Sequence, residues 1–355
     1  MTFEDTDFRQ ENLDLENPFD VKLVSDFLET LGFSYKVEEV EHTILIYNLR
    51  GDIIATGSHK GKILKYVAVA SAYRDSTAFA LVVTTLTEKL LTSYKNTYVF
   101  TRPENSVYFK GLGYKLIASA EPLFCVLEFG FETIENYCNY LKKLKHPGSY
   151  KSVAAIVVNC NPFTLGHLYL IEKAAAENDL VYLFVVEENK SVFPFDIRWK
   201  LIENGISHLT NVQMVKGGDY IVSGWIFPSY FLKNEKVDDI LKTQAELDVK
   251  IFANYFVPVL GINKRYVGSE NYCKTTAAYN EAMHKILPSN GVEVIEITRI
   301  QKHETFISAS LVRKAIKDGK LEEIIDFLPS STRDFLLSDE SSDIRNRIKK
   351  SKSRH

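Results

Sequence analysis

The stretch that most constrains this chain lies near its middle. Val153-Ala154-Ala155-Ile156-Val157-Val158 is an unbroken apolar run. It reads as a strand buried on both faces of a parallel sheet. Asn159-Cys160-Asn161-Pro162-Phe163-Thr164-Leu165-Gly166-His167 follows and reads as a tight turn. Leu168-Tyr169-Leu170-Ile171-Glu172-Lys173-Ala174-Ala175-Ala176 then sets apolar residues at helical spacing. The turn therefore delivers Thr164, Gly166 and His167 to a helix N-terminus. Unpaired amide N–H groups and the positive end of the helix dipole suit that place to phosphate. Gly166 lets the backbone come close to a ligand, and Thr164 and His167 supply hydrogen-bond donors.

A second stretch, Phe306-Ile307-Ser308-Ala309-Ser310-Leu311-Val312-Arg313, again opens a helix. Ser308 and Ser310 suit its N-cap, and Arg313 stands one turn further on. Between the two stretches, strands and helices alternate. Strands are expected at 180–187, 212–215, 264–268 and 292–297. Helices are expected around Arg198, over 237–259 and over 276–287. Such alternation implies a doubly wound parallel sheet, with ligands at the carboxyl ends of its strands. Lys190 and Arg198 follow the second strand, and arginine suits bidentate phosphate contact. Asn159 and Asn161 can hydrogen-bond a small carboxylate or phosphate. Asp219, Ser269 and Glu270 end later strands and are candidates to line a pocket. Cys160 has no paired base in view and reads as a buried, inert thiol.

At 355 residues the chain has room for two domains. A net charge of −3 gives no electrostatic ground for nucleic acid or membrane as a partner. No apolar run reaches the ~18 residues that a membrane span needs. The start, Met1-Thr2-Phe3-Glu4-Asp5, is acidic and unlike a signal peptide. Cys125, Cys138, Cys160 and Cys273 show neither metal-ligand nor disulfide spacing. They read as reduced thiols of a cytoplasmic protein, and no protein-bound metal site is expected.

The first half has a different pattern. A helix is expected at 20–31, strands at 42–47, 52–56 and 64–70, and a long helix at 77–93. A strand at 97–101, a short helix at 104–110 and a strand from Tyr114 follow. His146-Pro147-Gly148-Ser149-Tyr150 reads as a linker after a helix at 132–145. Three divisions result: residues 1–148, residues 149–330, and an extension at 331–355. The charged stretch 338–355 is expected to be mobile.

Several of these stretches resemble known families. Thr164 to His167 resembles the T/H-x-G-H signature of nucleotidylyltransferases. Ile307 to Arg313 resembles their I-S-x-S/T-x-x-R motif. The order of elements in residues 1–148, with Asn105-Ser106-Val107-Tyr108-Phe109-Lys110-Gly111-Leu112-Gly113-Tyr114, resembles GCN5-related N-acetyltransferases. That family's acetyl-CoA loop corresponds here to Arg74-Asp75-Ser76-Thr77-Ala78-Phe79. The loop glycines that wrap a pyrophosphate are missing, and Asp75 adds negative charge. An acetyltransferase-like α+β domain kept for docking or structure is therefore expected.

An acetyltransferase-like domain followed by a doubly wound, Rossmann-like nucleotidylyltransferase domain is the layout of the citrate lyase ligase family. Ser191-Val192-Phe193-Pro194-Phe195 with Arg198, Gly218-Asp219-Tyr220-Ile221-Val222-Ser223 and Phe227-Pro228-Ser229-Tyr230-Phe231-Leu232-Lys233 also resemble that family. The resemblance implies ATP, Mg²⁺ and acetate as reactants, and the acyl carrier subunit of citrate lyase as partner. It implies that Thr164 and His167 contact the α-phosphate and bridging oxygen as catalytic groups. It assigns Asn161, Gly166, Lys190, Arg198, Ser308, Ser310 and Arg313 to ATP and its phosphates. The first domain would recognise the carrier. An adenylyltransferase with a phosphorylated acceptor, and an acetyltransferase with a fused nucleotide sensor, are the alternatives at this point.

Overall fold

A computed structural model describes residues 8–187, 191–221, 232, 235–269, 274–302 and 305–350. Lys190, Glu270 and most of the 222–233 stretch lie outside the described residues. The chain divides into two compact units, residues 1–137 with 226–247 and residues 138–225 with 248–355.

The first unit is built on β1 (Arg9–Asn12), α1 (Pro18–Thr30), β2 (His42–Tyr47), β3 (Ile53–Lys60), β4 (Ile63–Val69), α2 (Ala78–Leu91), β5 (Asn96–Thr101), α3 (Ser106–Gly111), β6 (Lys115–Ala120) and β7 (Phe124–Gly130). Helix α4 (Ile134–Leu144) begins at its end. The sheet has seven strands in the order β1-β2-β3-β4-β5-β7-β6. Only β4 and β5 pair in parallel, at Ile63–Tyr98 and Leu64–Val99; the other pairings are antiparallel. This is an α+β arrangement, as expected for this half of the chain. Helix α2 buries Val82, Val83, Leu86 and Leu90 against the sheet. Gly57 makes that approach possible, because a Cβ there would stand 2.4 Å from Val82 Cγ1.

Strand β3 outruns the expected 52–56. Gly57 and Ser58 look unlike strand residues, yet they pair with Ile44 and Thr43, and the buried Ser58 and Thr43 hydroxyls bond at 2.8 Å. Strand β1 was not expected at all. Its four residues are polar and exposed, and only pairing with β2 extends them. At the start of α2, the Ser76 hydroxyl accepts the Ala78 N–H at 3.2 Å.

The second unit contains β8 (Val153–Val158), α5 (Leu165–Glu177), β9 (Leu180–Val185), α6 (Phe195–Gly205) and β10 (Val212–Lys216). After α7 (Val237–Ile251), whose residues to 247 belong to the first unit, and α8 (Val257–Leu260) come β11 (Lys264–Gly268), α9 (Lys274–Ile286), β12 (Glu293–Ile297), the short β13 (Gln301–Lys302) and β14 (Thr305–Phe306), α10 (Ala309–Lys317), α11 (Ser330–Leu337) and α12 (Ser342–Lys350). Five strands form an all-parallel sheet in the order β10-β9-β8-β11-β12. The chain moves outward from β8 on one side, then returns to β11 on the other. That reversal opens a crevice beyond the carboxyl ends of β8 and β11.

One expectation is met here with a local change, and one fails. The helical run over 237–259 is present and contains a π-helical turn, Phe252–Phe256, just before Pro258. Proline has no N–H and its ring crowds the carbonyl four residues earlier, so the turn widens. The stretch expected to be mobile from 338 onward is helical over Ser342–Lys350. Ile344 and Ile348, one turn apart, are 4% and 3% exposed and join the core of the unit. Two apolar residues at i and i+4 suffice to dock a helix that is otherwise charged.

Candidate active site

The turn after β8 is tightly specified. Cys160 takes a left-handed backbone, φ +52°, and Asn161–Pro162 is cis. A non-glycine residue in that region is strained and needs its surroundings to hold it. Phe163 is fully buried just before Thr164, the extended N-cap of α5. His167 Nδ1 lies 3.1 Å from the Thr164 backbone nitrogen and 2.9 Å from its Oγ1. A backbone N–H can only donate, so Nδ1 is an acceptor. The neutral imidazole then carries its proton on Nε2, where it can be donated to a ligand. Phe163 stacks on the ring, with centroids 6.2 Å apart. Burial, with the charge of Arg299 second, lowers the His167 pKa to about 4. The free site thus holds a neutral histidine that is a donor through Nε2.

Helix α10 opens at the same place. A Cβ on Gly166 would stand 3.2 Å from the Ile307 carbonyl oxygen, so glycine lets the first turn of α5 pack on the residue before Ser308. Ser308 is the N-cap of α10 and accepts the Leu311 N–H at 3.2 Å. Arg313 Nη1 donates to the Asn161 carbonyl, and Nη2 donates to Ser310 Oγ at 3.4 Å. Thr164, Gly166, His167, Asn161, Ser308, Ser310 and Arg313 are therefore brought together from segments about 150 residues apart, as the Arg313–Asn161 separation of 152 records. Two helix N-termini and an arginine converge on one spot.

Arg198 is a correction. Its side chain is 0% exposed. Nε donates to the Phe193 carbonyl at 3.0 Å, and Nη1 donates to the Asn159 and Val186 carbonyls at 2.8 Å each. It ties the ends of β8 and β9 to the loop between β9 and α6 and does not line the surface of the site. The reason is geometric: α6 runs back beneath that loop, so a residue in its first turn points at the loop's carbonyls.

Asn159 and Asn161 also hold this loop. Asn159 Nδ2 donates to Ser191 Oγ at 3.1 Å, and Asn161 Oδ1 accepts the Phe193 N–H at 3.1 Å. Asn161 Nδ2 keeps its donors without a protein partner among the described residues. Asp219 stands in the turn Gly218–Tyr220 after β10, two strands from β8. Ser269 follows β11 next to β8, where its hydroxyl accepts the Arg299 N–H at 3.3 Å. Cys160 is 1% exposed, and burial pushes its thiol pKa up, so it supplies no thiolate nucleophile. Cys125, Cys138 and Cys160 are buried and outside any disulfide. Arg299 was missed by sequence reasoning. The available signal was its place two residues beyond the last parallel strand.

A cavity of about 640 Å³, lined in part by Lys143, His146, Asp179 and Gln213, opens at the amino ends of β9 and β10. It lies away from the motifs. No helix among the described residues is long and apolar enough to cross a membrane.

The family model of the citrate lyase ligase C-terminal domain matches residues 153–336, from the start of β8 into α11. The chain belongs to the citrate lyase ligase family. It is similar to the citrate pro-3S-lyase ligase of Haemophilus influenzae, at 34% identity over 305 residues, covering 84% of this chain and 90% of that one. The citrate pro-3S-lyase ligase of Escherichia coli K12 is 34% identical over 293 residues, covering 80% and 81%. These alignments extend well beyond the unit that holds the His167 turn. Pantoate–β-alanine ligase from Francisella tularensis overlaps 59% of this chain and 82% of its own, at 14% identity and a TM-score of 0.37, too slight a likeness to carry a conclusion.

Proposed function

We propose that this protein is the cytoplasmic acetate ligase that reactivates citrate lyase, working through acetyl-adenylate. The observation that carries the reading is the joining of two helix N-termini around His167 in a member of the citrate lyase ligase family.

ATP lies with its phosphates at the openings of α5 and α10. An acetate oxygen attacks the α-phosphorus, and the bond to the bridging oxygen breaks as pyrophosphate leaves. Negative charge grows on that bridging oxygen and on the phosphoryl oxygens. His167 Nε2–H and the amides of the first turn of α5 are fixed donors that meet this charge without reorganising. Thr164 sets the tautomer that makes Nε2 the donor. Ser308 and Ser310 at the start of α10 hold the β and γ phosphates, together with Arg313. The attacking group is the acetate itself, so positioning replaces a protein nucleophile. That suits a site whose nearby cysteine is a buried neutral thiol.

In the second step the prosthetic-group thiol of the acyl carrier subunit attacks the acetyl carbonyl. The thiol loses its proton, AMP leaves, and the thioester of active citrate lyase forms. The first unit, acetyltransferase-like in fold, is the surface that recognises the carrier. Among the described residues no group of three His, Cys, Asp or Glu forms a metal cage. The Gly218 N–H donates to Glu187 Oε2 at 2.8 Å, which holds the turn that bears Asp219. Magnesium carried by the nucleotide would neutralise phosphate charge.

The test is pyrophosphate release from Mg·ATP, first with acetate and then with deacetylated carrier subunit. Wild type is run beside His167→Ala. Acetate-dependent release that turns over with the carrier thiol and is lost in the variant is expected. Release that ignores acetate and needs a phosphorylated acceptor would replace this reading with that of a coenzyme-type adenylyltransferase.

A further inference from the structure

The second unit places a cation within electrostatic reach of His167 that neither motif contains. β11 and β12 run in register to Gly268 and Ile297. The Ser269 N–H then donates to the Ile297 carbonyl at 2.9 Å, carrying the ladder one step past the strands. The Ser269 hydroxyl accepts the Arg299 N–H at 3.3 Å. These two bonds fix the backbone of the turn that bears Arg299. Its side chain lies back over the end of β11, with Nε 4.0 Å from where a Cβ on Gly268 would stand. A longer side chain at 268 would compete for that space. β11 is the sheet neighbour of β8, which leads into the His167 turn. The half-buried guanidinium therefore stands on the β11 side of the crevice, with His167 on the β8 side.

We propose that Arg299 is a phosphate-binding residue of the site, its guanidinium holding the polyphosphate chain of ATP from the side opposite His167. Arginine keeps its charge at every working pH and presents donors in a planar fork that matches phosphate oxygens. The crevice at the strand-order reversal is where such a ligand sits in an open α/β sheet. The influence of Arg299 on the His167 pKa places the two groups within electrostatic reach of one space. This assignment deepens the ligase reading and rests on ATP as the substrate.

The experiment compares full-length wild type, Arg299→Met and Arg299→Lys. Three quantities are measured: Mg·ATP affinity, adenosine affinity, and acetate-dependent exchange of pyrophosphate into ATP. Arg299→Met should weaken ATP about tenfold or more and slow exchange about a hundredfold, the scale for losing one fixed donor to developing charge. Adenosine, with no phosphate, should bind as in wild type. Arg299→Lys should recover part of the ATP affinity. ATP affinity unchanged in Arg299→Met, or ATP and adenosine affinity falling in parallel, would overturn the assignment. If wild type shows no acetate-dependent exchange, the acetate reading fails, and the ATP-to-adenosine affinity ratio still decides Arg299.

Discussion

Arg198→Met separates a scaffold arginine from a phosphate ligand. Methionine has a similar reach and no charge, so the substitution keeps the volume and removes three hydrogen bonds. Each buried carbonyl left without a donor costs about 1–3 kcal/mol. Removing the buried charge returns part of its desolvation cost, so the simple sum overshoots. A net loss of about 3–5 kcal/mol is expected, the range for breaking a buried charged network. In a unit of this size each kcal/mol moves Tm by about 2–4 °C, which gives a fall of roughly 6–20 °C. Calorimetry of the full chain, following the transition of the unit that holds Arg198, measures it. A variant that melts with wild type while losing ATP affinity would refute the argument and return Arg198 to the phosphates.

Further outcomes follow from the same geometry. Gly166→Ala gains up to about 1 kcal/mol of helix propensity and loses a similar amount against the Ile307 carbonyl at 3.2 Å, so Tm should barely move. Acetate-dependent exchange should nevertheless slow about tenfold or more, because displacement by a fraction of an ångström separates the two helix openings; wild-type exchange would show that the contact positions nothing. In a nucleotide-free NMR titration His167 should stay neutral down to about pH 4, below its ordinary 6.5. Because its folded pKa is depressed, its contribution to stability is present above pH 6.5 and is lost as pH falls toward 4, and His167→Asn should flatten that limb of the stability profile. Ile348→Ala should cost about 2–5 kcal/mol if α12 is packed in the core, and an unchanged melt would mean that it is not.

Much of the second unit was legible because its signals are local. The apolar runs of β8 and β9 are buried on both faces, and such runs announce parallel strands without reference to partners. Thr164, Gly166 and His167 act within one helical turn, so their spacing carried their arrangement. The gathering of Ser308, Ser310 and Arg313 at the same spot was expected from the motif and is realised by contacts to Gly166 and Asn161.

What the sequence determined by itself is the alternation of elements and the identity of the turn that carries Thr164, Gly166 and His167 to the start of α5. Those depend on periodicity and on backbone chemistry confined to a few residues. Tertiary structure alone decided the rest. Arg198 and Arg299 are both arginines that follow a strand, and nothing in their neighbours ranks them. One is buried beneath a loop whose carbonyls absorb its donors; the other is held by Ser269 at the rim of the crevice. Strand β1 and helix α12 follow the same rule, since a polar segment becomes ordered only where another segment supplies its hydrogen bonds or accepts its two isoleucines. Side-chain roles of this kind are set by contacts between distant residues, which no local pattern encodes.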